Sequence, residues 1–237
     1  MKEIEVSGIR VQVERKDIKN LHLGVYPPEG RVRVAAPLAM SDEAVRLAVV
    51  TRLPWIKKKR APFLRQERET EREYIYRESH YFRGRRYLLD VVENGNPGVF
   101  LRNKTTMELH VREGADTQQR ERVLKDWYRW QMKQEIPSLL EHWLPIVGVD
   151  LAEWRVKQMK TKWGSCNVQA RRIWLNLELI KKPPQCLEYI VVHELVHLHE
   201  RNHTERFTRL MDRYLPDWRL RKKELNALPL KHEEWTY

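Results

Sequence analysis

The chain has 237 residues, enough for one large or two small domains that each bury a core. With 41% hydrophobic and 33% charged residues it reads as globular, and no run approaches the stretch of about 18 apolar residues that a membrane span needs. The formal charge of +12 favours nucleic acid or an acidic partner surface through long-range attraction, without itself being a binding site.

The opening residues MKEIEVSGIR alternate instead of forming a signal-peptide core, so a cytoplasmic protein is expected. Cys166 and Cys186 lack the paired spacing of a structural metal site and fit a reducing compartment.

Ile4 and Val6, then Ile9, Val11 and Val13, then Leu21, Leu23 and Val25 alternate with polar residues. A turn at Pro27-Pro28-Glu29-Gly30 leads to Val32 and Val34, and the whole predicts an antiparallel meander with one wet face. Ser41-Asp42 is the expected cap of a helix holding Ala44, Val45, Leu47, Ala48 and Val49, which carries Trp55 and Ile56 towards the basic end Lys57–Arg60. The mixed charges of Arg65–Arg77 read as a salt-bridged, solvated face.

A second group of strands is expected at Tyr81–Phe82, Tyr87–Val92, Val99–Leu101 and Met107–Val111, with turns at Gly84 and Asn94–Gly98. No internal repeat or low-complexity tract is visible. These strands assign residues 1–115 to an antiparallel, β-rich N-terminal domain.

Residues 116–237 form the second expected domain, and the chain as a whole reads as α+β. Its period turns helical from Thr117, with Val123, Trp127, Trp130, Gln134 and Pro137 along one side and Gly148 as the stop. Two strands follow, Trp154–Met159 and Ile173–Leu177, with the Trp163-Gly164-Ser165-Cys166 segment as the loop between them. The end of the chain reads as a packing helix pair, with Lys231–Tyr237 as a loose tail in which Trp235 has a chance to dock.

The chemistry lies in Tyr189–Phe207, YIVVHELVHLHERNHTERF. Pro183 and Pro184 suit a helix start, and the apolar run Ile190–Val192, Leu195, Val196 and Leu198 predicts a buried helix. His193 and His197, four apart, then share one face and can share a metal ion, while His199 points elsewhere. Asn202 is expected to adopt a left-handed conformation that ends the helix and returns His203 to the metal. Three imidazoles and one open position are the layout of a catalytic zinc site, with Glu194 directed at the metal-bound water. Tyr214, Lys162 and His199 are the candidates for a donor to the developing oxyanion, and the sequence selects none of them.

This constellation resembles the YgjP-like family of zincin-type metal-dependent hydrolases. The resemblance rests on KTKWGSCN at Lys160–Asn167, HELVHLHERNHTERF, and YLPDW at Tyr214–Trp218, and covers about Arg155 to Leu225. It implies a minimal zincin-like catalytic domain made of a long helix, a small antiparallel sheet, the HExxH helix and C-terminal helices. It further implies one Zn2+ per chain held by His193, His197 and His203, with Glu194 as general base for hydrolysis of a protein or peptide. In such a domain the strand beside the metal lends its edge to the substrate, and Ile173–Leu177 or the Lys160–Cys166 arm is the candidate. The same family carries the label of a nucleoside triphosphate (UTP) pyrophosphatase, the alternative activity, and a nucleic-acid-associated protease is a third reading. Against nucleotide chemistry, the chain shows neither a Gly-rich phosphate loop nor carboxylate clusters for magnesium.

Overall fold

The computed structural model describes residues 2–26, 30–65, 72–159 and 162–227. The expected turn at Pro27–Glu29, the middle of the Arg65–Arg77 charge run, Lys160 and Thr161 of the arm, and the C-terminal tail with Trp235 lie outside the described residues. The chain is α+β. Its described residues divide into two compact units, one within Met1–Glu71 and one within Arg72–Leu228. No helix among the described residues is long and apolar enough to cross a membrane.

The first unit begins with strands β1 (Lys2–Val6), β2 (Ile9–Lys16), β3 (His22–Tyr26) and β4 (Arg31–Pro37). Their order is β1-β2-β4-β3, and β2 runs parallel to β4 from Val11 opposite Val32 to Lys16 opposite Pro37. The expected antiparallel meander is therefore corrected to a mixed sheet. Alternation reports which face is wet; it carries no information on which strand is the neighbour or which way it runs. Val11, Val13, Val32, Val34 and Ala36 face the core, where Val45 and Val49 of helix α1 (Asp42–Thr51) cover them. Ser41 caps α1 by accepting the Ala44 N–H at 3.2 Å. The single helix expected here breaks at Arg52, and α2 (Leu53–Arg65) buries Ile56 while Leu47 and Trp55 stay exposed.

The second unit opens with β5 (Ser79–Phe82), β6 (Arg85–Glu93), β7 (Gly98–Leu101) and β8 (Thr106–Val111). The order is β5-β6-β8-β7, again with the two inner strands parallel. The two sheets thus repeat one topology that the sequence did not disclose. Each begins with a two-residue hairpin in which both turn residues have positive φ: Ser7 (50°) and Gly8 (74°), then Arg83 (51°) and Gly84 (77°). Those angles match the twist of antiparallel strands.

The sequence closed its first domain at 115. In the structure, Leu89, Met107, Leu109 and Val111 instead share a hydrophobic cluster with the long helix α3 (Thr117–Val147), so these strands belong to the same unit as that helix. Helix α3 is opened by a capping box between Asp116 and Gln119 and closed by Gly148 at φ 71°. Its buried stripe is Leu124, Tyr128, Met132, Ile136, Leu140, Trp143 and Val147. The expected stripe was rotated from this one, and Trp130 is 56% exposed. The buried stripe steps by four from Leu124 to Leu140 and then takes in Trp143 and Val147, leaving Trp130 on the outer side.

A three-stranded sheet follows, made of β9 (Glu153–Lys157), β10 (Gly164–Asn167) and β11 (Arg172–Asn176) in the order β10-β11-β9. β10 is antiparallel to β11, but β11 is parallel to β9, which corrects the expected antiparallel sheet. The segment expected as a loop at Gly164–Cys166 is itself an edge strand. After a 3-10 turn at Leu177–Lys181 come α4 (Pro184–Val196), α5 (Glu205–Tyr214) and α6 (Trp218–Ala227). Gly84 helps to seat α4: a Cβ there would stand 2.8 Å from Pro183 Cγ, at the residue that starts the helix.

Candidate metal centre

Helix α4 is apolar on nearly every side, with Cys186, Leu187, Tyr189–Val192 and Leu195–Val196 buried. Such a helix must be enclosed, and α3, α5, α6, β10 and β11 all pack on it. His193 and His197 lie in and just after its last turn, half-buried, and the His197 N–H bonds the His193 carbonyl at 3.3 Å. The chain then turns through hydrogen bonds from Leu198 to Leu195 and from Glu200 to Val196. Asn202 does not adopt the expected left-handed conformation, since it is absent from the non-glycine residues with positive φ. Backbone bonding at the helix end makes the turn instead, and Thr204 restarts a helix by accepting the Phe207 N–H at 3.3 Å.

This path brings His193, His197 and His203 together, with one ligand atom from each within 4.8 Å of the others. Among the described residues it is the one group of three or more metal-ligating side chains. The Nε2 atoms of His193 and His203 stand 3.0 Å apart. Two nitrogens on one tetrahedral zinc, each at about 2.0–2.1 Å, would be separated by roughly 3.3 Å, so the cluster needs little adjustment. The donors also suit the ion chemically. Burial, reinforced by the neighbouring His197 and His203 rings, holds His193 down to about 3, and burial lowers His197 as well. Both rings are therefore neutral at pH 7, the form that binds metal. His197 Nδ1 lies 3.1 Å from the Glu200 carbonyl, which fixes that nitrogen as the donor and leaves Nε2 as the lone-pair face. His193 Nδ1 is buried with no hydrogen-bond partner among the described residues.

Phe207, 3% exposed, packs its ring against all three imidazoles, with centroid distances of 4.9 Å to His193, 4.7 Å to His197 and 4.8 Å to His203. Phe207 is given no role at the metal by the pattern of the packing helix pair. Its signal was its place four residues after His203, at the start of a helix.

Glu194 is 4% exposed, and burial pushes its carboxyl up to about 8 against the pull of the Lys162 charge. The side chain lies on the backbone of β10. A Cβ on Gly164 would stand 2.8 Å from Glu194 Cγ and 2.9 Å from Cδ, and closer still to Oε1. The role of this glycine was not read from the sequence, although its motif was.

His199, expected to point away from the metal, bonds through Nε2 to the Val147 carbonyl at 2.8 Å, and the Tyr214 hydroxyl donates to the same oxygen at 3.2 Å. Two of the three candidate oxyanion donors are thus engaged at the end of α3. Lys162 is exposed. Burial raises the Cys166 and Cys186 thiols to about 11, which keeps both protonated at neutral pH.

Two solved structures resemble part of the chain. The metallopeptidase zymogen abylysin of Pyrococcus abyssi is 22% identical over 38% of this chain and 90% of its own, with a TM-score of 0.36. The metallopeptidase zymogen jannalysin of Methanocaldococcus jannaschii is 21% identical over 38% of this chain and 96% of its own, with a TM-score of 0.34. No curated protein matches the chain. Residues 19–228 match the family described as YgjP-like, metallopeptidase domain. The chain belongs to that YgjP-like family and is a metal-dependent hydrolase of the metallopeptidase class.

Proposed function

We propose that this protein is a zinc metallopeptidase in which His193, His197 and His203 hold one Zn2+ and Glu194 is the general base. The observation that carries this reading is the convergence of three imidazoles within 4.8 Å beside a buried carboxyl, on one helix and the turn after it. A set of neutral nitrogens suits zinc better than magnesium, which favours peptide over nucleotide hydrolysis.

Zinc supplies Lewis acidity that polarises the scissile carbonyl and makes water easier to deprotonate. Glu194 takes the proton from the attacking water on a carboxylate oxygen and passes it to the leaving amine. Burial makes the Glu194 carboxylate a stronger proton acceptor than an exposed one, which suits the uptake step. Gly164 leaves the space that the carboxyl occupies.

Substrate is proposed to lie along β10. β11 is central in its sheet and has no free edge, which removes Ile173–Leu177 from the two candidates. The Asn176 N–H bonds the Trp163 carbonyl at 2.9 Å, and the register pairs Gly164 with Leu175 and Ser165 with Trp174. Hydrogen-bonded pairs alternate in an antiparallel ladder, so the N–H and C=O of Gly164 and Cys166 point to the outer edge. No strand among the described residues pairs there. An extended peptide added to that edge passes beside Glu194.

The test is cleavage of a mixed peptide library by the zinc-loaded chain, followed by mass spectrometry. Cleavage that disappears in Glu194→Gln while zinc is retained supports the proposal. Undiminished cleavage in that variant removes Glu194 from the base role.

A further inference from the structure

The sheet that borders the metal centre has a second concavity, on its opposite face. Gly164 directs its Cβ position at Glu194, and its partner Leu175 and the next inward residue Ile173 are fully buried. Side chains alternate along a strand, so Ser165, Asn167, Arg172 and Trp174 project the other way. There they line a cavity of about 180 Å³.

The cavity is cationic. Lys157 Nζ stands 4.6 Å from the Trp174 ring centroid and the Arg172 guanidinium 5.2 Å from it. Arg155 is the register partner of Trp174 and lies on the same face. Against these three charges the face offers Glu153, which pairs with Arg155 and, at 3.4 Å, with Arg172. Trp174 Nε1 is buried with no hydrogen-bond partner among the described residues. A buried donor without an acceptor is uncommon in a folded protein and marks a place where a ligand atom would be accepted.

We propose that this cavity is a specificity pocket for an acidic side chain of the peptide substrate. The proposal rests on the reading of β10 as the substrate edge. A strand added there sends alternate side chains to the two faces of the sheet: one set towards Glu194, the other into the cavity. An Asp or Glu of the second set meets the Arg172 guanidinium together with the hydroxyl, amide and indole donors of Ser165, Asn167 and Trp174. Charge-assisted bonds of this kind are the strong ones, and a guanidinium is well shaped for a carboxylate. A Lys or Arg in the same place faces the positive charge that Glu153 leaves in excess, so the pocket selects by repulsion as well as attraction.

The experiment uses the zinc-loaded full chain carrying Glu194→Gln. Its probes are dye-labelled decapeptides of alternating Ala and Thr, in which a single Glu is walked through the positions, each peptide paired with its Gln counterpart. Fluorescence anisotropy is expected to show about tenfold tighter binding for Glu than for Gln at one position. That ratio should fall to about one with Arg172→Gln added, and survive largely with Arg172→Lys. Equal affinities at every position, no binding of any peptide, or a ratio indifferent to Arg172→Gln would overturn the pocket. A single-stranded oligonucleotide that displaces the Glu peptide at lower concentration than free Glu peptide does would also overturn it, and assign the face to nucleic acid. Cleavage of the same peptides by the wild type is scored separately. Acid-selective binding without any cleavage would remove the peptidase reading and leave the pocket; cleavage without acid selectivity would do the reverse.

Discussion

Glu194 and Gly164 act as a pair, because the carboxyl occupies the space that a side chain on β10 would fill. Gly164→Ala places a Cβ 2.8 Å from Glu194 Cγ, with β10 backbone on one side and the packed helix α4 on the other. The expected result is a fall in kcat of about tenfold or more with zinc content unchanged, since the proposed base is displaced and the proposed ligands are not. Unchanged kcat would mean that the carboxyl has room to move. Phe207→Ala removes the ring that touches all three imidazoles. The expected effects are a stability loss of about 3–5 kcal/mol and zinc binding weakened roughly 10- to 100-fold in chelator competition. Unaltered zinc affinity would reduce Phe207 to ordinary core. At this scale the pairing of His193 with His197 was legible, because a four-residue spacing on a helix translates directly into a shared face. Gly164 and Phe207 were not, because their roles depend on contacts between segments distant in the chain.

Among the elements, the entry to the second unit depends on one carboxylate. Glu78 accepts the Tyr74 N–H at 2.6 Å and the Glu73 N–H at 3.0 Å, holds Arg72 at 3.2 Å, and has His80 Nε2 at 3.2 Å. Burial raises its pKa, but the His80 ring, the Tyr74 N–H and the Arg72 charge outweigh burial and bring it down to about 2. A folded pKa below the ordinary 4.5 means stability that is complete above about pH 4.5 and lost as the pH falls towards 2. Glu78→Gln is expected to lower stability at pH 7 by on the order of 1–3 kcal/mol and to flatten the decline between pH 4.5 and 2 in urea titrations. An acid limb as steep as the wild type's would show that other carboxylates carry it. Strand positions here were legible from alternation, as at Tyr87 and Leu89. Strand order was not: nothing in Val11, Val13, Val32 and Val34 says that β2 and β4 are parallel neighbours. β10 was read as a loop because it is short and begins with Gly164, and its pairing with β11 supplies what local propensity lacks.

At the scale of the molecule, two hydrophobic clusters do not share a residue, one from Val6 to Ile56 and one from Tyr74 to Leu225. The three clustered histidines belong to the second unit alone. Zinc is therefore expected to raise one of two calorimetric transitions, by about 2.7 kcal/mol at a hundredfold excess over Kd, and to leave the other in place. A single transition that moves as a whole would show that the units unfold together. The sequence saw two domains but cut between β8 and α3, where the hydrophobic period changes. The structure keeps those elements together because β5–β8 bury their inner face on that helix.

The central claim is that three histidines hold the metal while Glu194 acts on water without holding it. Elemental analysis of chains purified without added metal tests it most directly, on the wild type, His193→Ala, His203→Ala and Glu194→Gln. About one zinc per chain is expected in the wild type and in Glu194→Gln, with a loss of about tenfold or more in occupancy in each histidine variant. Full zinc occupancy in the histidine variants, or none in a folded wild type, would contradict it.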